Sequence, residues 1–224
     1  MTAINVLVRP DRVHVMTDGA VFEPEGAVIG VMQKTYALAH VSAVIAIRGP
    51  TYLGAGLVEA LNLANLRTFD DLLARLPATA RVLIDHAMQH MNPAERDAAS
   101  ARIDLRKFDI AVAGWSHRRG QGETYRLDTS KPGWHLERQA DGFFMPADNP
   151  ALLARLDAAG WDLSDPEQDA ARLLELMHHQ RAVPDRLPSG VECCTVGGFA
   201  QHTVITPDAI TTRIVERWAD RAAE

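Results

Sequence analysis

Thr2-Ala-Ile-Asn-Val-Leu-Val8 leads through Arg9-Pro-Asp-Arg12 into Val13-His-Val-Met-Thr-Asp18-Gly19. Both segments are dominated by β-branched and aliphatic residues, and Pro10-Asp11 is a turn former. The pair therefore predicts a hairpin of Ala3 to Val8 against Val13 to Thr17, ended by the turn residues Asp18-Gly19. Val31 to Ala39 and Ser42 to Ile47 repeat the same composition and predict a second pair of strands.

Beyond this sheet the period changes. Between Pro50 and Leu66 the apolar positions Leu53, Leu57, Leu61 and Ala64 recur every three or four residues, the spacing of one helical face. Thr68 with Asp71 can cap a second helix, with Pro77 interrupting it and Val82 to Met91 resuming the pattern. Extended segments return at Phe108 to Gly114, Glu123 to Asp128 and Trp134 to Arg138, separated by glycine-bearing turns. Asn149-Pro150 starts a helix by cap plus proline, and Ser164 with Glu167 carries a capping-box signature for a helix running to about Gln180. Val191 to Thr206 and Ala209 to Val215 read as closing strands. Strands and helices grouped in blocks point to an α+β layered domain rather than an alternating parallel fold, and the expected architecture is a four-layer αββα sandwich: two stacked sheets between two helical layers.

The chain has 224 residues, 47% of them hydrophobic, which is enough for one substantial core, so a single domain over residues 1–224 is expected. No apolar run approaches the roughly 20 residues of a membrane helix, and no basic-then-apolar leader is present, so a cytoplasmic protein without membrane association is expected. The only cysteines, Cys193 and Cys194, are adjacent and cannot staple distant segments. With a net charge of -6 and isolated basic doublets such as Arg118-Arg119, the chain lacks the basic stripe that phosphate binding needs, which excludes nucleic acid as an expected partner.

Thr2 follows the initiator methionine, whose removal a small neighbouring side chain favours. A chain beginning at Thr2 would carry a hydroxyl nucleophile and, on the same residue, an amine with a pKa of about 7.7 to 8.0 that can take the hydroxyl proton. Such a site also needs a positive charge beside the hydroxyl and a group that holds it. Lys34 and Asp18 can fill these roles. The chain uses lysine at three positions only, Lys34, Lys107 and Lys131, against twenty arginines. That makes a lysine at this position informative, since a compact ammonium fits where a planar guanidinium does not.

Thr2-Ala-Ile-Asn-Val-Leu-Val8, Val13-His-Val-Met-Thr-Asp18-Gly19 and Gln33-Lys34-Thr-Tyr36 together resemble the opening of a proteasome β subunit, a member of the N-terminal-nucleophile (Ntn) hydrolases. Counted from Thr2, Asp18 and Lys34 stand at that family's spacings. Val44-Ile-Ala-Ile-Arg-Gly49 resembles its strand and glycine turn before the first helix. Val112-Ala-Gly-Trp115 with Tyr125-Arg-Leu-Asp128 resembles its strand-turn-strand, and Val196-Gly-Gly198 its late glycine pair. The resemblance implies a threonine-dependent amide or peptide hydrolase. In it Thr2 attacks, its amine is the base, Lys34 tunes the nucleophile, Asp18 holds Lys34, and the Gly49 N–H receives the oxyanion, one residue later than in the family. It implies a peptide or small amide substrate, no metal or organic cofactor, and a homo-oligomer.

The family's Gly-Ser-Gly-Ser-like turn is replaced here by Ala140-Asp-Gly-Phe-Phe-Met-Pro146, and its aspartate and serine before the glycine pair by Glu192-Cys-Cys-Thr-Val196. The alternative is thus a non-catalytic assembly or regulatory subunit of the same fold, with a free-standing amidase as a third option. Other residues have plainer readings. Asp18-Gly19 is by itself a turn, and Lys34 by itself a surface lysine at a strand start. His86 and His90 lie one helical turn apart but lack the glutamate of a metalloprotease helix. His178 and His179 are expected in solvent, Cys193 and Cys194 as small buried hydrophobes in a strand, and the four tryptophans as packing residues.

Overall fold

The computed structural model describes residues 2–23, 26–100, 104–147, 149–186 and 190–220. In chain order the strands and helices are β1 (Ile4–Val8), β2 (Val13–Asp18), β3 (Ala20–Phe22), β4 (Val28–Val31), β5 (Thr35–Leu38), β6 (Ala43–Arg48), α1 (Leu53–Leu63), α2 (Phe69–His90), α3 (Pro93–Ser100), β7 (Asp109–Ser116), β8 (Gln121–Asp128), β9 (Leu136–Gln139), β10 (Gly142–Met145), α4 (Pro150–Ala158), α5 (Asp169–Ala182), β11 (Asp185–Arg186), β12 (Glu192–Cys193), β13 (Phe199–Ile205) and β14 (Ile210–Arg217). It is a mixed α+β fold with antiparallel sheets. One five-stranded sheet runs β10-β1-β2-β13-β14 and the other β5-β6-β7-β8-β9, with β3-β4 and β11-β12 as small hairpins.

The opening hairpin has Ile4 opposite Thr17 and Val8 opposite Val13. Because side chains alternate along a strand, Val13 and Val15 enter a cluster with Val44, Ala46, Ala111 and Ala113 that both five-stranded sheets share. The other face of the first sheet gives Ala3, Leu7 and Met16, which pack with Leu173 and Met177 of α5. On the second sheet Ile45, Ile47, Ile110 and Val112 meet Leu57 and Leu61 of α1 and Leu72, Leu76, Ala80 and Ile84 of α2. Docking of α5 on the first sheet is keyed by a buried amide pair: Asn5 Nδ2 donates to Gln180 Oε1 at 2.8 Å and Gln180 Nε2 returns a bond to Asn5 Oδ1 at 3.0 Å.

Several expected boundaries move. Pro77 does not interrupt α2; the helix carries it between the buried Leu76 and Ala80, and burial of the stripe on both sides offsets the lost backbone bond. The capping box at Thr68 and Asp71 forms as read. Ser164 with Glu167 does not cap a helix. Asp165 accepts from the Glu167 amide to start a 3-10 turn at Pro166–Gln168, and α5 begins at Asp169. The segment Val31 to Ala39 divides between β4, which pairs with β3, and β5, which pairs with β6. Trp134 has φ 51°, so β9 starts only at Leu136. Val191 to Thr206 is broken between β12 and β13, where Gly198 sits at φ +74°. The strand β10, unforeseen in Ala140–Pro146, pairs with β1.

Candidate functional site

Asp18 is the last residue of β2 and is fully buried. The hairpin register that sets Ile4 opposite Thr17 brings Ala3 to Asp18, and the Ala3 amide donates to Asp18 Oδ1 at 2.9 Å. Lys34 Nζ donates to the same oxygen at 2.9 Å. Two donors on one oxygen lie close together, so the ammonium is held beside the Thr2-Ala3 peptide, and Thr2 is itself buried. The second carboxylate oxygen accepts from Gly197 N at 3.1 Å and Ala20 N at 3.3 Å.

Lys34 precedes β5, and its carbonyl accepts from Ile47 N of β6 at 3.2 Å. The neighbouring Thr35 Oγ1 meets Thr17 Oγ1 at 3.0 Å, which joins the two large sheets at this end. Lys34 is buried rather than the surface lysine of the plainer reading. Burial pushes its ammonium below the ordinary lysine value, the Asp18 carboxylate pulls the other way, and Arg48 adds to the depression. A buried ammonium on one carboxylate is an arrangement that can lower the proton affinity of groups next to it.

Gly49 follows β6 at the same end of the second sheet, two residues beyond Ile47. Its φ of +144° and the approach of a would-be Cβ to Lys107 O at 2.8 Å leave room for glycine alone. Among the described residues no hydrogen bond joins Gly49 to Thr2, Asp18 or Lys34. The structure thus gathers Thr2, Asp18 and Lys34 and places Gly49 at the end of the adjacent strand. Met1, whose removal would free the Thr2 amine, lies outside the described residues.

Gly197, Arg181 and Asp220 were not read as site residues. A side chain at Gly197 would meet Asp220 at 2.5 Å. Arg181 NH1 donates to Val196 O at 2.7 Å and to Asp220 Oδ2 at 3.1 Å, its NH2 donates to Asp220 Oδ1, and the Gly198 amide donates to Asp220 as well. The loop 196–198 is therefore clamped from α5 and from beyond β14, and it delivers the Gly197 amide to Asp18. The glycine pair was the available signal, while its partners lie far away in sequence.

The remaining candidates lie elsewhere. His86 and His90 stack on the exposed face of α2 with ring centroids 4.0 Å apart, and His90 Nδ1 contacts the carbonyl of His86. His178 reaches Glu216 at 2.7 Å, whereas His179 is half-buried, not solvated as expected. Cys193 is half-buried and Cys194 exposed, against the expectation of buried hydrophobes, because the chain leaves the strand at Cys194. Among the described residues no helix is long and apolar enough to cross a membrane.

Two antiparallel sheets with these helices make up a proteasome-like fold. The solved structures that share it include an Anbu (Gly-1) mutant from Hyphomicrobium sp. strain MC1, 12% identical with a TM-score of 0.62 over 96% of this chain and 88% of that one. They also include Anbu (ancestral beta-subunit) from Yersinia bercovieri, 11% identical with a TM-score of 0.62 over 96% of this chain and 87% of that one. At such identities the likeness speaks for the fold. No protein-family model and no curated protein matches the sequence.

Proposed function

We propose that this chain is a threonine-dependent amide or peptide hydrolase of the proteasome-like Ntn kind, a single domain built as a four-layer αββα sandwich. The observation that carries the reading is the sharing of Asp18 Oδ1 between the Ala3 amide and the Lys34 ammonium, which sets a buried positive charge next to Thr2. Three apolar clusters, one shared by the sheets and one on the outer face of each, support the layered arrangement. After loss of Met1, the Thr2 amine takes the hydroxyl proton as Thr2 Oγ1 attacks the carbonyl carbon of an amide. The tetrahedral oxyanion accepts from the Gly49 N–H. The C–N bond then breaks, the leaving amine takes the proton from the Thr2 ammonium, and water hydrolyses the acyl ester to return Thr2. Lys34 favours the ionised hydroxyl and lowers the affinity of the amine for its proton, and Asp18 holds Lys34. No cofactor enters this scheme. A peptide or small amide is the substrate and a homo-oligomer the assembly in this reading.

Intact mass before and after treatment with an epoxyketone tests it. Loss of Met1 and one adduct are expected, abolished in Thr2→Ala and weakened in Lys34→Ala. A free Thr2 that takes no adduct would turn the reading to a non-catalytic subunit of the same fold.

A further inference from the structure

Cys193 and Cys194 line one cavity of about 220 Å³ together with Phe22, Val28, Arg181 and Asp220. Neighbours in an extended strand point to opposite faces, but β12 ends at Cys193, so Cys194 lies outside the strand and both residues border the same cleft. Neither residue is in a disulfide. Cys194 is exposed and open to a small oxidant, and Cys193 stands next to it as the second sulfur. Three residues after Cys194 comes Gly197, whose amide holds Asp18 Oδ2 at 3.1 Å. The intervening Val196 carbonyl is gripped by Arg181, which also lines the cleft.

We propose that Cys193 and Cys194 form a dithiol modification site that closes into a ring disulfide when a small disulfide oxidises it, and that closure loosens the loop holding Asp18. The Cys194 thiolate attacks one sulfur of the small disulfide and expels the other half as a thiol. The Cys193 thiolate then attacks Cys194 Sγ and expels the second half. Both cysteines are oxidised, one external disulfide is reduced, and the two cysteine protons leave on the two released thiols. Adjacent Cα atoms stand about 3.8 Å apart, whereas disulfides usually span at least about 4.4 Å. The ring therefore forms only if the backbone around its own peptide bond turns, and it is more easily reduced than a relaxed disulfide. The turn disturbs the Asp185 and Cys193 pairing of β11 with β12 on one side and the loop toward Gly197 on the other. This site does not depend on the hydrolytic reading.

The test uses the full-length chain with oxidised glutathione, followed by intact mass under non-reducing conditions and by amide hydrogen exchange. The wild type is expected to lose only its two thiol hydrogens and to retain no glutathione. Cys193→Ser is expected to keep one glutathione on Cys194, and Cys194→Ser, altered at the exposed position, to form no ring. Exchange of the peptide spanning 195–199 should rise about tenfold in the oxidised wild type and fall back on reduction. A stable glutathione adduct on the wild type, or a disulfide-linked dimer, overturns the ring. A ring with unchanged exchange at 195–199 overturns its coupling to Asp18.

Discussion

Asp18 gathers four donors on two oxygens: the amides of Ala3, Ala20 and Gly197 and the ammonium of Lys34. Removing its charge leaves a buried ammonium without compensation, which costs about 3–5 kcal/mol. Asp18→Asn is therefore expected to lose stability of that size in urea unfolding. Asp18→Asn combined with Lys34→Met should recover more than half of the loss, because the unpaired charge goes as well. If the double variant is no better than the single, the cost lies in the three amides and not in the ion pair. Half of this constellation was legible in the sequence for a local reason. A tight hairpin fixes its own register, so Ala3 had to meet Asp18 once Pro10-Asp11 was recognised as the turn. Gly197 was not legible in the same way, since it reaches Asp18 from 179 residues away.

The elements around the site divide by whether their signals are local. The Thr68 and Asp71 box starts α2 where the sequence places it, yet Pro77 misled, because tertiary burial of Leu72, Leu76, Ala80 and Ile84 outweighs a local helix breaker. The helix α3 was missed although Asn92-Pro93 repeats the signal of Asn149-Pro150, with Asn92 Oδ1 accepting from Ala94 N at 2.9 Å. The docking of α5 through Asn5 and Gln180 joins residues that no short-range pattern connects. Gln180 Nε2 also donates to the Pro146 carbonyl at 3.1 Å, so this one amide fixes β1, α5 and the chain after β10. Gln180→Leu strands the buried Asn5 amide, takes the partner from the half-buried Pro146 carbonyl, and is expected to cost about 1–3 kcal/mol. Thermal unfolding checks it, and Asn5→Leu with Gln180→Leu should cost less than the sum of the single changes. Strict additivity would show that the two amides do not act as a pair.

At the scale of the whole molecule, pH dependence follows from a second buried cluster between the first sheet and the start of α5. His14 of β2 and His202 of β13 are buried, with His14 Nδ1 and His202 Nε2 3.0 Å apart. Asp169 of α5 faces His14 Nε2 at 3.7 Å but is already engaged by Arg9 at 2.7 and 2.5 Å. Asp11 and Arg12 in the turn act on His14 from outside, and Arg213 of β14 acts on His202. Burial pushes His202 down to about 4, with His14 and Arg213 adding to it. Burial also lowers His14, against the pull of Asp169. In the unfolded chain both imidazoles titrate near the ordinary value of about 6.5. Below that pH the unfolded state binds protons that the folded state refuses, so stability is fully present above about 6.5 and falls as the pH approaches 4. For His202 the loss is on the order of 3 kcal/mol across that interval. Carboxylates with lowered native values act in the same direction, but their unfolded reference is near about 4, so the interval from pH 6.5 to 5 isolates the histidines. Urea midpoints taken at steps from pH 7.5 to 5 should decline in the wild type. They should stay nearly level in His14→Leu with His202→Leu, where the sheet keeps its packing and loses both titrating groups. An equal decline in that variant would remove the histidine pair as the cause and shift it to groups outside the interface between the sheet and α5.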